Sequence, residues 1–260
     1  MPGIGSPQVK PTHLLGAQVH KRATEPAGLA VPQKAGAGRR RDTAVAYGGR
    51  VRDVPWWGVV SSAAAPVLLA SGWTAAAGLQ PRFDPVADTV SALAAQGAAD
   101  RWVMTLTFLV VGGCYVVTAL ALRPAGTAGR LILLAGALAG MLVAANPERP
   151  GDAYPIGHIL AAAAGFAGLV TWPAGAWRRG PAVPWALRPQ AAAAAVAALL
   201  ALLAWFCTEL ILGLSQVGLA ERVAGEAQAL WPLAVVFSCV WPAAPARVRT
   251  PVRTPGKDPG

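Results

Sequence analysis

The stretch FDPVADTVSALAAQGAADRW, residues 83–102, is the only long polar insertion between the apolar segments of this chain. Asp84 followed by Pro85 reads as a helix N-cap and first helical residue, and Gly97 suits the far end. A helix of about twelve residues is the expectation. Along it Val86, Val90 and Leu93 fall at i, i+4 and i+7 and form a narrow apolar stripe, while Asp88 and Ser91 share the other side. Such a helix is too short to cross a bilayer. It reads as an amphipathic helix on the membrane surface, with Asp100 capping the spanning helix that follows.

Around this insertion the sequence is strongly apolar: 55% of the 260 residues are hydrophobic and only 13% charged, roughly half the charge of an average soluble domain. Six apolar segments stand out, at about 54–79, 101–123, 129–146, 154–178, 188–214 and 221–242, and each can span about 30 Å of hydrocarbon, the third being short. The fold class expected is therefore all-α, a six-span transmembrane helical bundle with a short amphipathic surface helix between spans 1 and 2. Residues 1–53 carry Pro, Gly, Lys and Arg without apolar periodicity and read as a disordered basic tail, as do residues 243–260. No continuous apolar run precedes Val54, so no cleaved signal is expected.

A net charge of +10 raises the question of nucleic acid, and the distribution of the basic residues answers it. With the N-terminus inside, the first tail holds nine Lys and Arg, the loop from Arg123 to Arg130 two, the loop from Arg178 to Arg188 three and the last tail four. Only Arg82, Arg101, Arg149 and Arg222 fall on the other side. Eighteen against four is the positive-inside pattern of a plasma-membrane protein with both termini cytoplasmic, and no nucleic-acid partner is expected.

Trp56, Trp57, Trp73, Trp102, Trp177 and Trp241 lie near segment ends, where an indole bridges tails and headgroups. Gly136 and Gly140 form a GxxxG in the third segment, and AAAAGFAG at 161–168 repeats small residues at helical spacing. Both favour close helix contact, within one chain or in a homo-oligomer. Pro66, Pro173 and Pro232 are expected to kink or end helices. Cys114, Cys207 and Cys239 sit in apolar segments without paired spacing, which argues against a disulfide framework and a zinc site.

The order of these features resembles a bacterial membrane-protein family known as domain of unknown function 998. The resemblance rests on FDPVADTVSALAAQGAADRWVM after the first span, Leu122-Arg123-Pro124 closing the second, His158 opening the fourth and GLAERVAGEAQALWPL opening the sixth. It implies a multi-pass plasma-membrane protein and brings no activity with it.

Topology gathers the unusual polar residues on the outer side: Asp84, Asp88 and Ser91 in the insertion, His158 one turn into the fourth span, Glu209 late in the fifth, and Arg222 and Glu226 opening the sixth. Carboxylates within spans face a bundle interior or a wet cavity, so these seven residues define a candidate pocket for a lipid headgroup or small solute. Three classes of function stay open: a binding or structural role, transport of a small solute or ion, and hydrolysis at the outer leaflet using His158 and a carboxylate. The plainer reading is a structural network in which Arg222 pairs with Glu226 at i, i+4, His158 bonds a loop carbonyl or carboxylate, and Asp84 and Asp100 act as caps. Two of the three histidines, His13 and His20, lie in the first tail, so no zinc site can be assembled, and an oxygen-rich cation site would have to come from Asp84, Asp88, Glu209 and Glu226. No phosphate-binding glycine loop or nucleophile elbow occurs, and no cofactor is expected.

Overall fold

A long apolar segment in lipid must satisfy every backbone polar group internally, which a single helix does by itself. The computed structural model describes residues 54–149 and 155–241; the basic tails read at 1–53 and 243–260 lie outside the described residues. Among the described residues there are six long helices and no strand: α1 (Trp56–Gly78), α2 (Trp102–Ala121), α3 (Thr127–Ala145), α4 (Ile156–Ala176), α5 (Pro189–Leu212) and α6 (Val217–Val240). All six are long and apolar enough to cross a membrane, and the chain is an all-α, multi-pass membrane protein. Even α3, with 19 residues, reaches about 28 Å at 1.5 Å per residue.

Each helix packs on its neighbours in sequence, and α6 returns to pack on α1, closing a ring. The long α1–α2 loop meets the end of α3 through the Gln96 N–H and the Glu148 carbonyl (2.8 Å) and the start of α6 through the Leu219 N–H and the Val86 carbonyl (3.0 Å), so successive helices run antiparallel. The α1–α2, α3–α4 and α5–α6 loops therefore share one end of the ring, and the two remaining loops share the other.

The tightest seam joins α3 to α4, and glycine makes it. Gly136 faces Gly168 so closely that a Cβ on Gly168 would lie 2.6 Å from the Gly136 Cα, and Gly129 meets the Ala176 backbone in the same way. The small-residue spacing is thus used within the chain, with backbones in direct van der Waals contact. Across α1 and α2 the buried Ser61 and Thr118 hydroxyls bond each other at 2.9 Å. Pro66, Pro173 and Pro232 stand inside helices that continue through them. At the end away from the 83–101 loop, Arg130 donates to the carbonyls of Ala119 and Leu120 and Arg178 to that of Ala125, so basic side chains satisfy carbonyls that the helices leave open.

The α5–α6 turn is short. Gly213 adopts a left-handed conformation (φ 62°) and the Leu214 N–H donates to the Glu209 carbonyl, a helix-ending arrangement that costs a residue with a Cβ more than glycine. Consequently α6 starts at Val217, four residues before the start expected from hydropathy, and Glu221 and Arg222 lie within its second turn.

The insertion at 83–102 differs from its expectation. Its helix is confined to a 3-10 turn at Ser91–Ala94, and the apolar stripe is split: Val90 and Leu93 are buried against Ala76 and Met104, whereas Val86 is exposed. The cause is local. Asp84 does cap one turn, its carboxylate accepting the Val86 N–H at 2.8 Å, but beyond that turn the loop's backbone groups bond side chains of α6. Asp100 does not cap α2 with its side chain; its carboxylate accepts the Trp102 indole at 3.1 Å, and its backbone holds φ 45°.

Gly168→Ala, which would drive a methyl into the Gly136 backbone, should destabilise the protein by about 1–3 kcal/mol in reversible unfolding from micelles. Gly140→Ala, where an added Cβ meets nothing within 4 Å, should leave stability unchanged or slightly raised.

Candidate functional site

Glu221 and Arg222 are adjacent in sequence, and each is only 7% exposed. Two neighbouring side chains on a helix point about 100° apart, so together they reach two parts of the loop that crosses above them. The Glu221 carboxylate accepts the Val90 N–H at 2.6 Å and the Ser91 hydroxyl at 3.2 Å. The Arg222 Nη1 donates to the carbonyls of Pro85 (2.7 Å) and Asp88 (3.0 Å). Between these contacts the Leu219 N–H, one of the donors that every helix start leaves open, bonds the Val86 carbonyl at 3.0 Å. The chain from Pro85 to Ser91 is held along the first two turns of α6. Gly218 permits the approach, because a Cβ there would strike the Asp88 carbonyl oxygen.

The guanidinium of Arg222 is also flanked by aromatic rings, 4.9 Å from the Trp73 centroid and 5.2 Å from that of Phe83. Such stacking favours a desolvated cation. Among the described residues its buried Nε and Nη2 have no hydrogen-bond partner, and the carboxylates that act on its charge are those of Glu221, Asp88 and Asp84. Trp73 in turn donates its indole N–H to Glu226 at 3.4 Å. The expected Arg222–Glu226 pair is not formed, and Trp73, expected as an interfacial anchor, contacts both residues of that pair.

Beneath the clasped loop lies a cavity of about 130 Å³, inside the ring. α1, α2, α3, α4 and α6 contribute to its wall and α5 does not. Most of the wall is apolar and includes Phe108, Tyr115 and Phe166; its polar groups are Ser91, Glu221, Arg222, Glu226 and Gln228. Gln228 is 1% exposed and its Nε2 has no hydrogen-bond partner.

Of the seven residues singled out in the sequence, Ser91, Arg222 and Glu226 line this cavity. Asp84 and Asp88 stabilise the loop from within, the Asp88 carboxylate accepting the Asp84 N–H at 2.8 Å. Glu209 belongs to the α5–α6 turn, where it accepts the Trp205 indole (3.2 Å) and the Gln216 N–H (2.9 Å). Among the described residues no three carboxylate, His or Cys side chains gather as a metal site, so the oxygen-rich set is not brought together. His158 lies outside the cavity wall, with Nδ1 2.9 Å from the Asn146 carbonyl and Nε2 3.4 Å from Glu148. Since a carbonyl only accepts, Nδ1 carries a proton and Nε2 faces the carboxyl group. Burial pushes the Glu148 carboxyl up to about 7.

Residues 63–238 match the model of a family described as "Protein of unknown function (DUF998)", well over half of the chain. The chain belongs to that family. No curated protein and no solved structure matches it. The matched region takes in most of α1, the 83–102 loop, α2 to α5 and all but the last two residues of α6, so the clasp and the cavity both lie within the DUF998 portion.

Three residues of the cluster escaped the reading of the sequence: Trp73 looked like an interfacial anchor, and Phe83 and Glu221 were not singled out, nor was Glu148, which faces His158 outside the cavity. The signal for Glu221 was present in the pair Glu221-Arg222 itself, two adjacent opposite charges in a segment long and apolar enough to span the membrane.

Gly218→Ala should push the loop off α6. With Cys114, Cys207 and Cys239 replaced, a Leu93→Cys reporter should react with a polar maleimide at least tenfold faster in the Gly218→Ala background; equal rates would mean that this contact does not hold the loop. Glu148 gives a pH dependence of definite sign. Its folded value is raised above 4.5, so between about 4.5 and 7 the folded state retains a proton that the unfolded state has released. Its contribution to stability therefore falls as pH rises through that window, and Glu148→Gln should flatten the melting temperature against pH there.

Proposed function

We propose that this protein is a plasma-membrane binding protein with both termini in the cytoplasm, whose cavity holds an amphipathic small molecule or a lipid headgroup beneath an outward-facing loop. The bilayer is its medium and the source or destination of the ligand. The observation that carries the reading is the cavity itself: apolar on most of its wall, with Ser91, Glu221 and Arg222 at the end under the loop, Glu226 and Gln228 further along α6, and lined by five of the six helices. A dry engineered cavity of about 150 Å³ is enough for benzene, so this one suits the head or one end of an amphiphile.

The orientation is supported by charge. Arg123, Arg130, Arg178, Arg179 and Arg188 all lie at the end away from the 83–101 loop, the pattern of a cytoplasmic face. Hydrolysis finds less support, since His158 and Glu226 do not share the cavity and no base adjoins Ser91 other than Glu221, which is committed to the loop.

Native mass spectrometry of the protein released from lipid discs tests the reading. Wild type should retain a small molecule, and Gly140→Leu, which adds bulk at the cavity wall, should retain at least tenfold less while unfolding normally. Wild type that is always empty would contradict it. Orientation is checked separately in intact cells carrying the protein with its three native cysteines replaced: Ala87→Cys should react with an impermeant maleimide added outside and Arg179→Cys should not, and the reverse would overturn the proposed topology.

A further inference from the structure

Glu226 is the one carboxylate of the cavity without work in the loop clasp. It is half-buried, lines the cavity, and has the Trp73 indole at 3.4 Å as its hydrogen-bond donor. Among the described residues the sole ion pair is His158–Glu148, so no described Lys or Arg neutralises it. Arg222, one turn away, is turned to the loop: its Nη1 is held by two carbonyls, its faces are covered by Trp73 and Phe83, and Glu221, Asp88 and Asp84 act on its charge. Glu221 is engaged by the loop, which leaves Glu226 as the carboxylate of the wall that a ligand would meet.

The rest of the wall fits a cation. Phe108 and Tyr115 stand seven residues apart on α2, hence on one face, and Phe166 approaches from α4, held by its packing on Phe206 at 5.4 Å between centroids. Aromatic faces attract an organic cation most where water is excluded, and a carboxylate supplies the counter-charge. Gln228 adds a fully buried amide, whose Nε2 lacks a partner in this wall, for a polar substituent beside the charged centre. An anion would find the Arg222 Nε and Nη2 but would also meet the carboxylates of Glu226 and Glu221, and a sulfonate probe tests that choice directly.

We propose that the ligand of this cavity is an organic cation, a protonated amine or quaternary ammonium carrying an apolar group, bound by Glu226 among the rings of Phe108, Tyr115 and Phe166. The inference rests on the reading of the cavity as a binding site and names the ligand class.

Calorimetry on the full-length protein in an uncharged maltoside detergent, with empty micelles subtracted, tests it using hexyltrimethylammonium and hexanesulfonate as size-matched probes. The cation should bind wild type and the anion should not at the same concentration. Glu226→Gln, of nearly identical shape, should weaken cation binding at least tenfold with an unchanged melting temperature, and Phe108→Leu should weaken it less. Should Glu226→Gln lower the melting temperature, Glu226→Met gives a second variant in which the same loss is required. Equal binding of the two probes, or cation binding unaltered by both Glu226 variants, would overturn the assignment. If neither probe binds while native mass spectrometry still finds a retained molecule, the cation assignment fails and the cavity remains a binding site. If neither binds and no molecule is retained, both fall.

Discussion

Backbone that is neither helical nor wet has to find hydrogen-bond partners, and in this protein one pair of residues supplies them. Glu221 and Arg222 bind the loop from Pro85 to Ser91 through donors and acceptors that a helix would otherwise use internally. Burial of either residue alone would leave an uncompensated charge at a large cost, whereas side by side they offset each other and bond four groups of the loop. The same contacts explain why the loop is not the helix its sequence favours. Its carbonyls at 85 and 88 accept from Arg222, and its N–H at 90 donates to Glu221, so the ladder of a continuous helix is replaced by a side-chain ladder from α6.

Everything at this end of the ring follows from that clasp. Leu93 and Val90 are pressed between α1 and α2, which makes the loop a wall of the central cavity. Trp73 couples the two parts of the cluster, since its ring carries Arg222 and its N–H reaches Glu226. The glycine seam of α3 and α4 acts from the opposite side. Because Gly136 and Gly168 bring two helices into backbone contact, one side of the ring is dense, and Gly140, where a Cβ would meet nothing within 4 Å, leaves open volume in the cavity wall.

The fold was legible in the sequence because hydrophobic run length and the bilayer's thickness constrain it so strongly: six apolar segments became six helices of 19 to 24 residues. The loop was misread for a reason that sequence spacing cannot supply. Val86, Val90 and Leu93 have helical periodicity, and only the long-range partners on α6, more than 130 residues away, decide that the periodicity is not used. For the candidate site, Ser91, Arg222 and Glu226 were singled out by chemical type, and all three line the one cavity described above. Glu209 had the same signature, yet its carboxylate closes a turn, a role fixed by Gly213 and the short connection rather than by its own identity. Trp73 shows the converse case: a residue type with a familiar interfacial role is drawn into the cluster by an arginine 149 positions away.

The clasp is the claim on which the rest depends, and amide hydrogen exchange over residues 85–94 measures it directly. In wild type the Val90 amide should exchange slowly, as a buried helical amide would, and Glu221→Ala should speed its exchange at least tenfold while the middle turns of α2 and α6 keep their protection. Fast exchange at Val90 in the wild-type protein, or slow exchange that survives the loss of Glu221, would contradict it.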